Sequence, residues 1–578
     1  MLRDWVRSLC PSDVLSRPVE AQPECAALAW AASGAMDLTG HPDGAPTVSP
    51  AAAYGLLLET TAALARITAQ IGSEVRADPG LLLAGRAGLL NLRRGGRQTA
   101  GGAGRLLRTS DGWCAITLSR QDDIDSVPAI LGMDSVADDP WETLTTAAHA
   151  WTATDLADRA QLLGVPAAAL PSAAYPADSL PADARLADAL SAAAPPAAAV
   201  SADASAAARP ADASSAAAPP ATAPPAAAVS ADASAAARPA DAPSAAAPPA
   251  TAPPAAAVSA DASAAARPAA ASSAAAPSAA ALPVDADAAA HPFDAHPGTG
   301  VPDDAAHPVA GSSAAPSATP GPQCPWQTSR IAQPVVGARL DGLVVVDLSS
   351  MWAGPLCAHL LGRAGARVIK VESTRRPDGA RRGDPRFFDW LHRGHEQIAV
   401  DFHTGAGQET LRELVSTADV VIEASRPRAL AQLGLAPGER VHRDGQVWLS
   451  LTGYGRAEPM RVAFGDDAAV AGGLVGWDGG EPVFCGDAIA DPLTGICAAL
   501  AVCCAVLGGG GQLIDLSMRA TAAAFASAPA LTHGPHRVLA DGADWVVECP
   551  YHGRSQRVLR PRVPPLGGMK RVVPHVDS

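Results

Sequence analysis

LVVVDLSSMWAGPLCAHLLGRAGARVIKVE, residues 343–372, decides the fold. Its first six residues are a β-branched run bounded by Gly342 and Ser349, which predicts a buried strand. PLCAHLLGRAGA (355–366) then spaces its apolar residues as a helix does, with a glycine near the end. ARVIKVE (366–372) is a second strand. The alternation continues downstream. GQETLRELVSTA (407–418) predicts a helix, DVVIEA (419–424) a strand, and VWLSLTGYG (447–455) a strand and turn. Strands alternating with helices of this length form β-α-β units, so the fold class is α/β with a parallel sheet and right-handed crossovers.

Outward from this block, the composition collapses to Ala, Pro, Ser and Asp between about residues 176 and 325. PPAAAVSADASAAARPAD begins at Pro195 and returns at Pro224, with a variant at Pro253, a 29-residue period. A solenoid needs large apolar residues to stack, and these units have none, while Pro-Pro pairs break any alanine helix. The expectation is a disordered, partly extended linker over 176–334. It separates a first block, 1–175, from a second, 335–578. The first block carries a helix over 51–67, a hairpin over 104–119 turning at Asp111-Gly112, and helices over 140–151 and 153–164. That pattern is α+β, with no β-α-β entry of its own.

Hydrophobic residues make up 48% of the 578 but aromatics only 4%, so alanine supplies much of the count. A formal charge of −15 argues against a nucleic-acid footprint, although local basic patches such as Arg375-Arg376 with Arg381-Arg382 could meet phosphates. The ten cysteines show no CxxC pair and no zinc-like Cys/His spacing, which fits a reducing compartment and no metal. MLRDWVRSLCPSD has no apolar run after its charges, and no segment of eighteen strongly apolar residues stands out. The expectation is a cytoplasmic chain with no membrane partner. Gly508–Gly511 precedes a strand, QLIDLSM (512–518), whereas a dinucleotide fingerprint follows one, so it predicts a helix-to-strand turn. Gly95-Gly96, Gly101-Gly102 and Gly104 read as a mobile loop. No G-x-S-x-G or H-E-x-x-H occurs, and His392 and His395 read as solvated loop histidines.

One carboxylate stands apart. AIADPLTGICAAL (488–500) is apolar or small except for Asp491. An Asp-Pro pair at a helix start is a good N-cap and first-turn combination, worth ~1 kcal/mol. A carboxylate among small residues beside Gly495 is also open to close approach by a ligand and can act as a covalent nucleophile. The residues alone leave both readings open.

Five segments in order resemble family III CoA-transferases, the CaiB/BaiF group that includes the formyl-CoA transferase-like enzymes. They are 344–372, 398–427 (IAVDFHTGAGQETLRELVSTADVVIEASRP), 449–455 (LSLTGYG), 482–507 (PVFCGDAIADPLTGICAALAVCCAVL) and 508–518 (GGGGQLIDLSM). The resemblance implies a Rossmann-like parallel sheet domain, with Asp491 as catalytic aspartate. It implies CoA transfer between an acyl-CoA and a carboxylic acid through an aspartyl-acyl anhydride and an aspartyl-CoA thioester, with CoA thioester as substrate and no permanently bound cofactor or metal. CoA contacts are expected from Trp352, Ala353, Gly354 and Pro355, from Lys370 and Arg375, and from His403. The family's dimers imply a homodimer, or an intramolecular pairing of the two blocks.

The first block resembles a degenerate copy of a later part of the same family. Aligning Thr47-Val48-Ser49 with Pro482-Val483-Phe484 places Ala53 to Gly55 where Asp491 would fall, with no acid there. Ser373, Ala424 and Gln432 depart from the family pattern, and Asp466 in VAFGDD replaces an aromatic. Asp466 also speaks against racemisation, because family racemases carry His there, and it brings a second carboxylate that would raise one pKa if close to Asp491. Two alternatives stay open: a catalytically retired CoA-binding scaffold, and an acyl-CoA isomerase or hydratase on the same fold.

Overall fold

The computed structural model describes residues 1–10, 14–15, 25–136, 139–176 and 324–565. The Ala/Pro repeats lie outside them. The described residues on both sides of the repeats pack into one unit.

The second block forms the expected sheet. Its strands are β4 (Trp326–Arg330), β5 (Val344–Asp347), β6 (Arg367–Ser373), β7 (Glu396–Val400), β8 (Val420–Glu423), β9 (Val447–Thr452) and β12 (Gln512–Ser517), after β1–β3 of the first block and with β10 (Gly476–Asp478) and β11 (Glu481–Val483) as a small hairpin. The order is β4-β12-β9-β8-β5-β6-β7, parallel throughout except for β4, which pairs antiparallel with β12. Central strands are covered on both faces, which is why VVVD and VVIE read as continuous apolar runs. β4 revises a boundary. The linker was expected to reach 334, yet WQTSR is an edge strand, anchored by Trp326 packed edge-on to Trp5 at 5.9 Å.

The first block adds the antiparallel sheet β1 (Gly104–Arg108), β2 (Trp113–Thr117) and β3 (Ala167–Ala169), with the hairpin turn at 109–112 as expected. The glycine-rich stretch before β1 is ordered rather than loose: Gly95, Gln98 and Arg105 form bridges, and the Gly96 carbonyl accepts from the Phe484 N–H at 2.9 Å. A last meander, β13 (Arg537–Asp541), β14 (Asp544–Cys549) and β15 (Arg554–Arg557), packs on the first block's Ala26–Ala32 helix.

The core is shared. Trp5, Trp30, Leu57 and Leu64 from the first block join Leu356, Val420, Leu449, Ile496 and Leu500 from the second in one buried cluster. Each such side chain contributes roughly 1.5–3 kcal/mol by leaving water, so neither block could expose this surface cheaply. At the centre runs the Ala490–Leu507 helix. Sixteen of its eighteen residues are buried. Among the described residues it is the one helix long and apolar enough to cross a membrane, with mean hydropathy 1.9, a run the sequence reading passed over. Being apolar on every side suits a helix enclosed by protein, here the Ala353–Arg363, Ala51–Ile71 and Met518–Ala526 helices. A Cβ on Gly495 would lie 2.6 Å from the Ala353 carbonyl oxygen. Glycine there admits the neighbouring helix, not a ligand.

Candidate active site

Asp491 does not cap its helix. The helix starts at Ala490, its N-cap is Ile489, and no side chain makes a cap hydrogen bond. The chain enters through Ala488, a non-glycine residue at φ 44°, in the left-handed region that L side chains rarely adopt. This turn aims Asp491 away from its own helix. Its carboxylate lies beside the backbone N–H groups of Gly465 and Ala353, both of which favour its ionised form. Each is the first residue of another helix, Gly465–Ala471 and Ala353–Arg363. The carboxylate therefore faces backbone donors that no helical carbonyl uses.

Contact with Gly465 is tight. A Cβ there would fall 2.5 Å from Asp491 Oδ2 and 2.3 Å from the Ala488 carbonyl oxygen, both inside van der Waals contact. Gly465→Ala is therefore expected to displace the Asp491 carboxylate and lower turnover at least about tenfold. Single-turnover kinetics with the wild type alongside would check this, and unchanged turnover would show that the contact is loose.

Three carboxylates share one cation. Arg86, on the first block's Pro79–Leu90 helix, donates to Asp487 Oδ1 at 2.5 Å. Asp466 accepts from the Ala488 N–H at 2.9 Å. Burial, with the Asp487 charge, pushes Asp491 up to about 7, against the lowering effects of Arg86 and the two N–H donors. Burial pushes Asp466 to about 7 as well, with Asp487 and Asp491 adding repulsion. The Asp466 departure leads to the expectation of one raised pKa; here burial raises both Asp466 and Asp491. The Arg86 guanidinium also lies over the Trp352 and Phe387 rings, at 5.7 and 5.8 Å.

The expected CoA contacts divide. Of Trp352, Ala353, Gly354 and Pro355, Ala353 is the one whose N–H lies beside Asp491, and all four are buried; Trp352 packs edge-on against Phe387 at 5.4 Å. Met351, just before them, is the second strained residue of the site at φ 74°, and its N–H donates to Asp378 Oδ1 at 2.9 Å. Lys370 is neither a ligand-facing nor a solvated strand-end lysine. It is wholly buried, 3.1 Å from Asp378 and 3.8 Å from Asp347, and donates to the Ser349 carbonyl. Burial alone would lower its pKa, but the two aspartates outweigh it and hold the ammonium charged. Lys370 thus fixes the 349–352 loop from beneath. Arg375 and His403 are exposed and meet at Asp401, whose carboxylate accepts from the guanidinium at 3.2 Å and from the His403 N–H at 3.0 Å.

His392 and His395 are a correction. They are not solvated: His392 is 3% exposed, the two Nδ1 atoms lie 3.3 Å apart, and burial pushes His395 down to about 3. Sequence reading missed Arg86 and Asp487. Asp78-Pro79 ahead of LLLAGRAGLL is a legible helix start, and Asp78 does cap the Leu81 N–H. No local pattern tells that Arg86 would meet a residue 401 positions away.

A groove of about 520 Å³, lined by His41, Arg97, Arg105, Arg108 and Trp113 among others, shares no residue with this site.

Residues 340–551 match CoA-transferase family III. Over 202 residues the chain is 34% identical to succinate–glutarate CoA-transferase of Agrobacterium fabrum, covering 31% of this chain and 50% of that protein. It is 32% identical over 197 residues to succinyl-CoA–D-citramalate CoA-transferase of Chloroflexus aurantiacus, covering 31% and 49%. The chain spans about half the length of these relatives. A crystal structure of a CAIB/BAIF family protein from Brucella suis is 28% identical and covers 37% of this chain and 66% of that one, with a TM-score of 0.32. The matched residues, 340–551, include the core helix that carries Asp491, and over them the chain is similar to CoA-transferase family III.

Proposed function

We propose that the protein is a CoA-transferase that moves CoA between an acyl-CoA and a carboxylic acid, with Asp491 as the nucleophile. The observation that carries this is the carboxylate turned away from its own helix start and onto the N–H groups of Gly465 and Ala353. A capping residue has no reason to point there. The relatives named as CoA-transferases acting on succinate, glutarate or citramalate support a small carboxylic acid as acceptor.

The steps are those that the resemblance to CoA-transferases implies for a nucleophilic carboxylate. The Asp491 carboxylate attacks the thioester carbonyl, and the C–S bond breaks, leaving a mixed anhydride and CoA thiolate. The thiolate attacks the aspartyl carbonyl, releases the first acid as its carboxylate, and forms an aspartyl-CoA thioester. The acceptor carboxylate attacks that thioester, giving a second anhydride and thiolate. Attack of the thiolate on the acceptor's acyl carbon frees Asp491 and yields the new acyl-CoA. Each tetrahedral intermediate carries an oxyanion beside backbone donors already in place. Charge alternates between carboxylate and thiolate without protons being exchanged, so Asp491 must be ionised at the start.

That requirement gives a pH dependence. Because burial holds Asp491 near 7, the rate is expected to rise with pH through about 7. Asp466→Asn keeps an acceptor for the Ala488 N–H but removes one negative charge, so the acidic limb is expected to move down by roughly half a unit to one unit. A profile of kcat/KM against pH for both proteins tests this; no movement would mean that Asp466 does not sense Asp491.

The decisive experiment mixes the full chain with a panel of acyl-CoAs, traps with hydroxylamine and maps the product by mass spectrometry. A hydroxamate on Asp491, absent from Asp491→Ala, is the expected result. CoA binding with no adduct from any donor would instead favour a retired scaffold. Water addition or α-proton exchange without an adduct would favour the hydratase or isomerase. We further propose that the two blocks act as an intramolecular pair, supported by Arg86 and by Thr117, which donates to Asp467 Oδ1 at 3.3 Å beside Asp466. Arg375 and His403 are proposed to meet the CoA phosphates at the strand ends, and a cytoplasmic setting remains part of this reading.

A further inference from the structure

Four potential metal ligands converge where the two blocks meet, away from the carboxylate cluster. Cys25 immediately precedes the Ala26–Ala32 helix of the first block. His533 and His536 lie in the connection before β13, and Cys549 ends β14. One donor atom from each of the four falls within 4.8 Å of all the others. Cys25 Sγ is 3.1 Å from His536 Nε2 and 3.4 Å from His533 Nε2. Both cysteines are buried.

We propose that Cys25, His533, His536 and Cys549 bind one structural Zn²⁺ ion. Two thiolates and two imidazoles make a closed tetrahedral set, the ligand chemistry that zinc favours in structural sites. Zinc bonds are ~2.3 Å to sulfur and ~2.0–2.1 Å to nitrogen, so donors around one ion stand roughly 3.3–3.8 Å apart. A spread of 4.8 Å or less needs only side-chain adjustment to reach that. The balance is simple. Two thiols release their protons to solvent, two neutral imidazoles donate nitrogen lone pairs, and the bound group is neutral.

The surroundings fit a fixed site. The Tyr551 ring stacks on His533 with centroids 4.9 Å apart, which holds the imidazole plane. His552 Nδ1 lies 3.2 Å from Cys549 Sγ, where an N–H would stabilise a metal-bound thiolate from outside the ligand set. The Leu559 N–H donates to the Ala31 carbonyl at 2.9 Å, so the chain just after β15 is already fastened to the Ala26–Ala32 helix. The ion would tie the first block to the end of the second, 508 residues apart in sequence between Cys25 and His533. That separation is why the expectation of no metal arose: His533, His536 and Cys549 supply only three ligands locally, and the fourth comes from the other block.

Titrating the metal-free full chain with Co²⁺ under reducing conditions tests the proposal by absorption. The expected result is uptake of one ion per chain, with the strong visible bands of tetrahedral cobalt and thiolate charge transfer in the near ultraviolet. Cys25→Ser is expected to lose about half of the charge-transfer intensity and at least about tenfold in affinity. His536→Cys should keep tetrahedral binding and gain charge transfer, which separates ligand identity from mere folding. Zn²⁺ should displace the cobalt stoichiometrically and raise the thermal midpoint. Weak octahedral cobalt bands in the wild type, or a Cys25→Ser spectrum identical to the wild type, would overturn the proposal. The spectrum is read without turnover, so the result is independent of the CoA-transferase reading.

Discussion

Asp491→Asn is expected to lower CoA exchange by at least about a thousandfold while making the folded protein more stable above neutral pH. The two halves of this expectation come from the same environment. Asparagine keeps the size of the side chain and one acceptor oxygen for the N–H groups of Gly465 and Ala353. It cannot form an anhydride. The wild-type carboxylate is held near 7 by burial and by Asp487, so the folded state binds its proton more tightly than the unfolded chain does. Stability associated with this group is therefore full below the ordinary carboxylate range and is lost as pH rises from about 4 to about 7. The mutant escapes that loss. Its advantage should be absent at pH 4, grow through that window, and level off above it at ~1 kcal/mol or more. Denaturant melts at several pH values, beside the exchange assay, measure both. A variant that is inactive and less stable at pH 8 would show a carboxylate retained for structure. Inactive and more stable marks a group kept charged at a cost in stability, for chemistry.

The legible parts of this protein are those governed by local periodicity. LVVVDL, ARVIKVE, DVVIEA and VWLSLT became β5, β6, β8 and β9 because burial on both faces imposes apolar runs that stay apolar whatever surrounds them. The parallel order followed from the helices between them. WQTSR was illegible because an edge strand needs only one partner; four of its five residues are exposed, so it carries no apolar run. Asp491 could be singled out as a lone acid in an apolar helix, but sequence could not say whether it faced its own helix end. The strained turn at Ala488 decided that, and alanine gives no warning of a left-handed backbone. Lys370 shows the opposite failure. A lysine at a strand end ordinarily reaches solvent, and only the meeting of Asp347 and Asp378 makes its burial tolerable.

Arg86→Met is the variant that asks whether the first block is part of the active site. Methionine keeps the unbranched apolar stem out to about the Nε position, so the variant loses the guanidinium with its charge, its hydrogen bond and its place over the Trp352 and Phe387 rings. What remains is Asp487, whose side chain is 1% exposed and whose Oδ2 already lacks a hydrogen-bond partner. Removing one member of a buried ion pair costs about 3–5 kcal/mol, because the survivor is left charged and unsolvated. Arg86 is 27% exposed, so the low end of that range is expected at neutral pH. The cost has a signature. Without the cation Asp466 and Asp491 hold protons more tightly, so the defect should shrink as pH falls and they neutralise. For the same reason the acidic limb of the rate should move to higher pH, opposite to Asp466→Asn. Adding Asp487→Asn removes the stranded charge, and the double variant is expected to recover most of the lost stability, giving a coupling energy of ~2 kcal/mol in a double-mutant cycle. Recovery of stability without recovery of rate would assign Arg86 a second role at Asp491, as counter-charge to the attacking carboxylate. Additive effects would mean that the pair does not form, and with it would go the reason for treating a residue from the first block as belonging to a site built in the second.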